Sequence, residues 1–77
     1  MIKILFFARL QEEMGTESIE VEKAGYTVRD VKEWLADNHQ LSTISQTMVA
    51  INEDYANDDD MVNESDTIAF IPPVSGG

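Results

Sequence analysis

Cysteine is absent from this chain of 77 residues, so disulfides, thiolate zinc sites, iron–sulfur clusters and a cysteine nucleophile are all excluded. That absence fits a reducing, cytoplasmic setting. Glycine is scarce as well, with four residues at positions 15, 25, 76 and 77. None of them forms a loop able to cradle a phosphate, so the chain is not expected to bind and activate ATP itself. Basic residues number five against fifteen acidic ones, giving a formal charge of −10. A surface of that sign repels nucleic acid and anionic membranes and attracts a partner with a basic docking face. No hydrophobic run approaches the length of a membrane span, and Met1-Ile2-Lys3 leads into a strand-like segment rather than a signal peptide. The single histidine, His39, has no serine, aspartate or metal-ligand partner near it in sequence.

What is present suffices for one small domain, near the lower limit for a self-supporting core. Ile2 to Ala8 is rich in β-branched and aromatic residues and reads as a strand. Arg9 to Met14 has room for one or two helical turns, stopped at Gly15. Glu17 to Glu22 alternates polar and apolar, with Ile19 and Val21 facing inward. Thr27 is placed to cap a helix, its hydroxyl accepting from the Asp30 amide while the Asp30 carboxylate reaches back. Val28, Val31 and Leu35 then recur at helical spacing and Trp34 broadens the stripe, whereas Arg29, Lys32, Glu33 and Asp37 are expected to face water. The helix should fade near Asn38-His39. Thr47 to Asn52 is a third strand, closed by a turn at Glu53-Asp54. Tyr55-Ala56 and Met61-Val62 read as short edge pieces around the acidic loop Asn57 to Asp60. Asn63 to Asp66 forms a turn, and Thr67 to Ile71 the last strand, which Pro72 ends by removing a ladder donor.

This order predicts an α+β domain over residues 1–71, a mixed sheet of about four to five strands covered on one face by one main helix. A β-grasp roll, the ubiquitin-like arrangement, fits it. Residues 72–77 remain as an extended tail. The Asp58-Asp59-Asp60 run lacks the central glycine of a calcium loop, and is expected to be solvated rather than to hold a metal.

Alternation assigns the faces of the outer strands. Ile2, Ile4 and Phe6 share one face of the first strand, and Lys3, Leu5 and Phe7 the other, which Lys3 marks as facing water. A free sheet face is normally polar, yet Leu5, Phe7 and Ile71, with Met48 and Ala50, would leave an apolar patch there. Contiguous exposed apolar surface marks a binding site, and this one would flank the root of the tail. Pro72-Pro73 favours an extended spacer, followed by Val74-Ser75 and by Gly76-Gly77. Two final glycines would coincide by chance in about one chain in 200, at a usage of about 7% per position. Lacking Cβ atoms, they pass through a channel too narrow for other residues and leave a terminal carboxylate open to attack on ATP and to acyl transfer. With no better reactive group in the chain, that carboxylate becomes the candidate site.

The opening Ile4-Leu5-Phe6-Phe7-Ala8-Arg9-Leu10 through Gly15, and the closing Phe70-Ile71-Pro72-Pro73-Val74-Ser75-Gly76-Gly77, resemble the small subunits of molybdopterin synthase. The resemblance implies a ubiquitin-like sulfur carrier whose Gly77 is adenylated by an ATP-dependent, E1-like activating enzyme and converted to a thiocarboxylate. The large synthase subunit would take up the tail and pass the sulfur to cyclic pyranopterin monophosphate, two transfers building the molybdopterin dithiolene. By position, Gly77 would carry the sulfur, Gly76 would be its tunnel-fitting neighbour, and Phe7 and Ile71 would join the large-subunit interface of a two-plus-two heterotetramer. No cofactor would be bound by the chain itself; ATP would belong to the activating enzyme. The family often has an aromatic residue where Ile71 stands and a basic one where Gln11 stands, departures that bear on the interface and not on the tail. A ubiquitin-like protein modifier, the sulfur carrier of thiamin thiazole synthesis, and a plain interaction module are the competing readings.

Overall fold

The computed structural model describes residues 1–41 and 44–72. Its elements are β1 (Ile2–Phe6), α1 (Arg9–Met14), β2 (Ser18–Val21), α2 (Val28–His39), a 3-10 turn at Ile44–Gln46, β3 (Met48–Ile51), β4 (Asp54–Ala56) and β5 (Thr67–Ile71). The five strands form one sheet in the order β2-β1-β5-β3-β4. β1 and β5 run parallel at its centre, with Ile4 beside Ile68 and Phe6 beside Phe70. The other three pairings are antiparallel. This is the expected α+β, β-grasp arrangement, with α2 covering one face of a mixed sheet.

The core follows from strand alternation on one side and helical spacing on the other. Ile2, Ile4, Phe6, Ile68 and Phe70 point from the two central strands toward Val28, Val31 and Leu35 of α2, and all are buried. Leu10, Leu41, Ile44, Val49 and Val62 close the rim of the same cluster. Trp34 is half-buried against it, as its place beside the stripe suggests. Burial of side chains this size supplies about 1.5–3 kcal/mol apiece.

Several local features differ from the sequence reading, each for a physical reason. β1 ends at Phe6, because Ala8 takes φ 50°, ψ −123° and turns the chain into α1. The β3–β4 turn lies at Asn52-Glu53, whose φ values of 51° and 74° make it the two-residue, left-handed type that matches strand twist; Asp54 already belongs to β4. Lys32 does not face water. It lies four residues after Val28, within the buried stripe, and is 9% exposed. Its aliphatic stem is covered while Nζ donates to Asp58 Oδ1 at 2.9 Å and to the Thr47 carbonyl at 3.5 Å.

The N-terminus of α2 is closed by a loop far along the chain. A helix begins with four amides that lack an internal acceptor, and here each has one. Thr27 N donates to Asp30 Oδ2 (3.4 Å) and Asp30 N to Thr27 Oγ1 (3.2 Å), completing the expected capping box. Val28 N donates to the Asp60 carbonyl (2.9 Å) and Arg29 N to the Asp58 carbonyl (3.0 Å). The acidic loop is thus a structural clamp and not only a solvated run. Asp59 pairs with Arg29 at 2.8 Å, an exposed contact that raises the guanidinium's affinity for its proton. Asp60 Oδ2 accepts from the Asn57 amide at 2.7 Å. Met61-Val62 continues the clamp as an isolated bridge to Thr27 instead of an edge strand, with Val62 N donating to the Tyr26 carbonyl at 2.8 Å.

Thr27→Ala removes one acceptor of this box and should cost about 1 kcal/mol. Urea unfolding should show a lower midpoint with an unchanged slope; an unaltered midpoint would mean that the loop carbonyls alone hold the helix start.

Candidate docking face and tail root

The face of the sheet opposite α2 is built from alternate residues of four strands. Register places them in rows. Leu5 lies beside Ala69, Ala69 opposite Ala50, and Ala50 opposite Tyr55. One row toward the tail, Ile71 lies opposite Met48, and Phe7 follows β1 on the same side. One row the other way, Lys3 lies beside Thr67, and Asn52 N donates to the Thr67 carbonyl at 2.8 Å.

Side-chain size turns these rows into a groove. Two alanines occupy the middle, while larger residues stand on either side: Leu5, Phe7 and Ile71 on one wall and Tyr55 on the other. The hollow measures about 530 Å³ and is also bordered by Asn52, Glu53 and Thr67. Phe7 is 45% exposed, Met48 50% and Tyr55 74%, so the fold leaves three large apolar or aromatic side chains in water on one surface. Such exposure is costly for a monomer and fits a docking site.

Leu5, Phe7 and Ile71, the partner-binding residues expected from sequence, are therefore brought together, and Met48 and Ala50 lie with them. Pro72 follows β5 directly, half-buried and outside the ladder. Pro73, Val74, Ser75, Gly76 and Gly77 lie outside the described residues, and with them the expected spacer and reactive end. Gln11 stands across β1 from the groove, where it lines a smaller hollow of about 290 Å³ with Lys3, Leu5, Phe7, Glu17 and Ser18.

Tyr55 and Glu53, with Asn52 and Thr67 at the border, are groove residues that the sequence reading does not assign to the patch. Tyr55 was assigned only to an edge piece; its place becomes visible once the turn is set at Asn52-Glu53, since a two-residue turn pairs Ala50 with Tyr55. Among the described residues no group of three or more histidines, aspartates or glutamates stands close enough to hold a metal ion. His39 contacts the edge of Trp34, with ring centroids 5.2 Å apart. On the helix side of the molecule Lys23 Nζ lies 4.8 Å from the Tyr26 ring centre and 4.9 Å from that of Trp34, tying the chain before α2 to the helix.

Comparison with known proteins places the chain among small carriers. The model of the ThiS family matches residues 4–77. The molybdopterin synthase sulfur carrier subunit of Escherichia coli K12 is 32% identical over 81 aligned positions, and that of Haemophilus influenzae 35% identical over 81, each alignment covering both chains completely. Among solved structures, small archaeal modifier protein 1 from Methanosarcina acetivorans superposes with a TM-score of 0.81 at 25% identity, covering 99% of this chain and 95% of that one.

Exposure on the groove separates docking residues from structural ones. Phe7→Ser and Tyr55→Ser should each change stability by about 0.5 kcal/mol or less. Phe6→Ala, one position along β1 but on the buried face, should cost about 3–5 kcal/mol. Chemical denaturation of the three variants checks this, and a large loss from Phe7→Ser would make the groove part of the fold rather than a docking face.

Proposed function

This chain belongs to the ThiS family, and on that premise we propose that it is the sulfur carrier subunit of a molybdopterin synthase. The observation that carries the reading is the groove of Leu5, Phe7 and Ile71 at the end of the strand that bears the tail. A large subunit seated there would hold the tail's root while residues 73–77 reach into its active site. The end-to-end likeness to two sulfur carrier subunits supports the same role.

The chemistry follows from the groups available. A carboxylate is a poor electrophile, so an E1-like activating enzyme would first use ATP to convert Gly77 to an acyl-adenylate, releasing pyrophosphate. A sulfide-level donor then displaces AMP and leaves a thiocarboxylate, a softer nucleophile than the carboxylate. Docking presents that sulfur to cyclic pyranopterin monophosphate at high effective concentration, where it would displace an oxygen substituent to form a thioester with Gly77; water then cleaves the Gly77–sulfur bond, leaving the sulfur on the substrate and returning the carboxylate. The glycines at 76 and 77 let the tail enter a narrow passage. Two carriers would serve two large subunits, and the reaction would take place in the cytoplasm, where ATP and the activating enzyme are found. No helix among the described residues is long and apolar enough to cross a membrane.

A second reading, a protein modifier joined to lysines through the same terminus, is favoured by the likeness to small archaeal modifier protein 1. It shares the activation step and differs in the acceptor.

Incubation with the activating enzyme, ATP and a sulfur donor should add to the intact mass the difference between sulfur and oxygen, on Gly77 alone. Ala69→Leu, which fills the groove floor, should weaken binding of the large subunit by about tenfold or more. Undiminished molybdopterin formation after deletion of Gly77 would sink the carrier role, whereas Gly77-dependent conjugates in cell extract without thiocarboxylate would support the modifier.

A further inference from the structure

Glu53 is a residue that the fold does not explain. It occupies the second place of the β3–β4 turn at φ 74°, after Asn52 at 51°. Turns with both central residues left-handed favour asparagine followed by glycine. Asn52 meets the first preference; Glu53 violates the second and holds a Cβ where it is sterically opposed. The carboxylate does not offset this within the domain. It takes part in none of the four ion pairs among the described residues, nor in the side-chain hydrogen bonds that secure the neighbouring Asn52 to Asp66 and Thr67. Lys3, a cation on the same sheet face, forms no ion pair with it. Strained residues cluster at functional sites, and of the five non-glycine residues with positive φ among the described residues, Asn52 and Glu53 line the groove.

The groove indicates what the requirement is. Glu53 stands at its rim, two residues before Tyr55, and both line it. The floor of Ala50 and Ala69 is apolar and shallow, and the Tyr55 ring is largely exposed. A purely apolar insert would fit the floor but would strip water from Glu53 and leave its charge unpaired. A long basic side chain meets every feature together. Its methylene stem would lie over the alanines, its charge would sit against the Tyr55 ring, and Glu53 would accept its hydrogen bonds. The net charge of −10 would draw a basic surface toward this face.

We propose that Glu53 and Tyr55 form the receptor for one arginine or lysine side chain of the large synthase subunit. The proposal rests on the docking reading above and names the chemistry by which that partner is recognised. Glu53 accordingly sets specificity and association, while Leu5, Phe7 and Ile71 provide apolar contact.

Titration of the purified large subunit with the full-length carrier over a series of salt concentrations tests it. Glu53→Gln should weaken binding about tenfold at low salt and flatten the salt dependence. Glu22→Gln, the same charge change at a site away from the groove, should stay within about twofold. Glu53→Gly relieves the turn, so it should raise the thermal midpoint by about 4 °C or more while losing at least as much affinity as Glu53→Gln. Tyr55→Phe should bind nearly as the parent, and Tyr55→Leu several-fold more weakly. Equal effects of Glu53→Gln and Glu22→Gln would overturn the proposal, as would full affinity in Glu53→Gly. If Phe7→Ala weakens binding while Glu53→Gln does not, the receptor fails and the docking face stands. If the unaltered chain does not bind the large subunit at all, the docking reading fails and the receptor with it.

Discussion

The parallel pairing of β1 with β5 is the constraint around which the domain is arranged. It joins the first and last strands at the middle of the sheet, and β3 closes the other edge of β5, so the strand before the tail is held on both sides. A parallel pair cannot be joined by a tight turn; here the chain between β1 and β5 runs through β2, α2, β3 and β4, and α2 covers one face on the way. The opposite face is left open. Since β5 lies beside β1, the last open-face residue of one and the first exposed phenylalanine beyond the other fall at the same end of the groove. The tail's root and the docking surface are therefore set by one pairing, and neither can be displaced without the other.

The acidic excess divides between two tasks. Asp58, Asp59 and Asp60 close the start of α2 through two backbone carbonyls, an ion pair to Lys32, an ion pair to Arg29 and a turn bond within the loop. These groups tie the β3–β4 hairpin to the helix, and so fix Tyr55 relative to the core. Exposed pairs such as Arg29–Asp59 contribute little by themselves. The Lys32 contact differs, because its ammonium is nearly enclosed and removing the half-exposed Asp58 would leave that charge without its partner. Carboxylates outside such contacts, Glu20 and Glu22 among them, add to the field that acts at a distance on a basic partner.

The fold was legible where short-range chemistry decides it. Thr67 to Ile71 shows both its alternation and its stop at Pro72, and Thr27 with Asp30 announces a capping box three residues wide. The inward and outward faces of β1 and β5 follow from alternation, which is why Leu5, Phe7 and Ile71 could be named before any coordinates. Lys32 departs from expectation because its charge suggests solvent while its spacing from Val28 puts it in the stripe, and the distant Asp58 that makes burial tolerable is invisible in one dimension. The role of Tyr55 depended in the same way on one turn. Setting that turn one residue later would pair Tyr55 with Asn52 in place of Ala50, on the same face but one row further from the tail.

The central position of β5 also bears on how the molecule comes into being. As the chain is synthesised, the β1–β2 hairpin, α2 and the β3–β4 hairpin all emerge before the strand that unites them. Until Thr67 to Ile71 is available, the two hairpins share no ladder, and Leu35 and Val31 lack half of the surface they pack against. Folding must therefore wait for a contact of very large sequence separation, the slow kind. A chain that stops before β5 has no strand to join β1 to β3, so an incomplete chain lacks the face proposed to receive the large subunit.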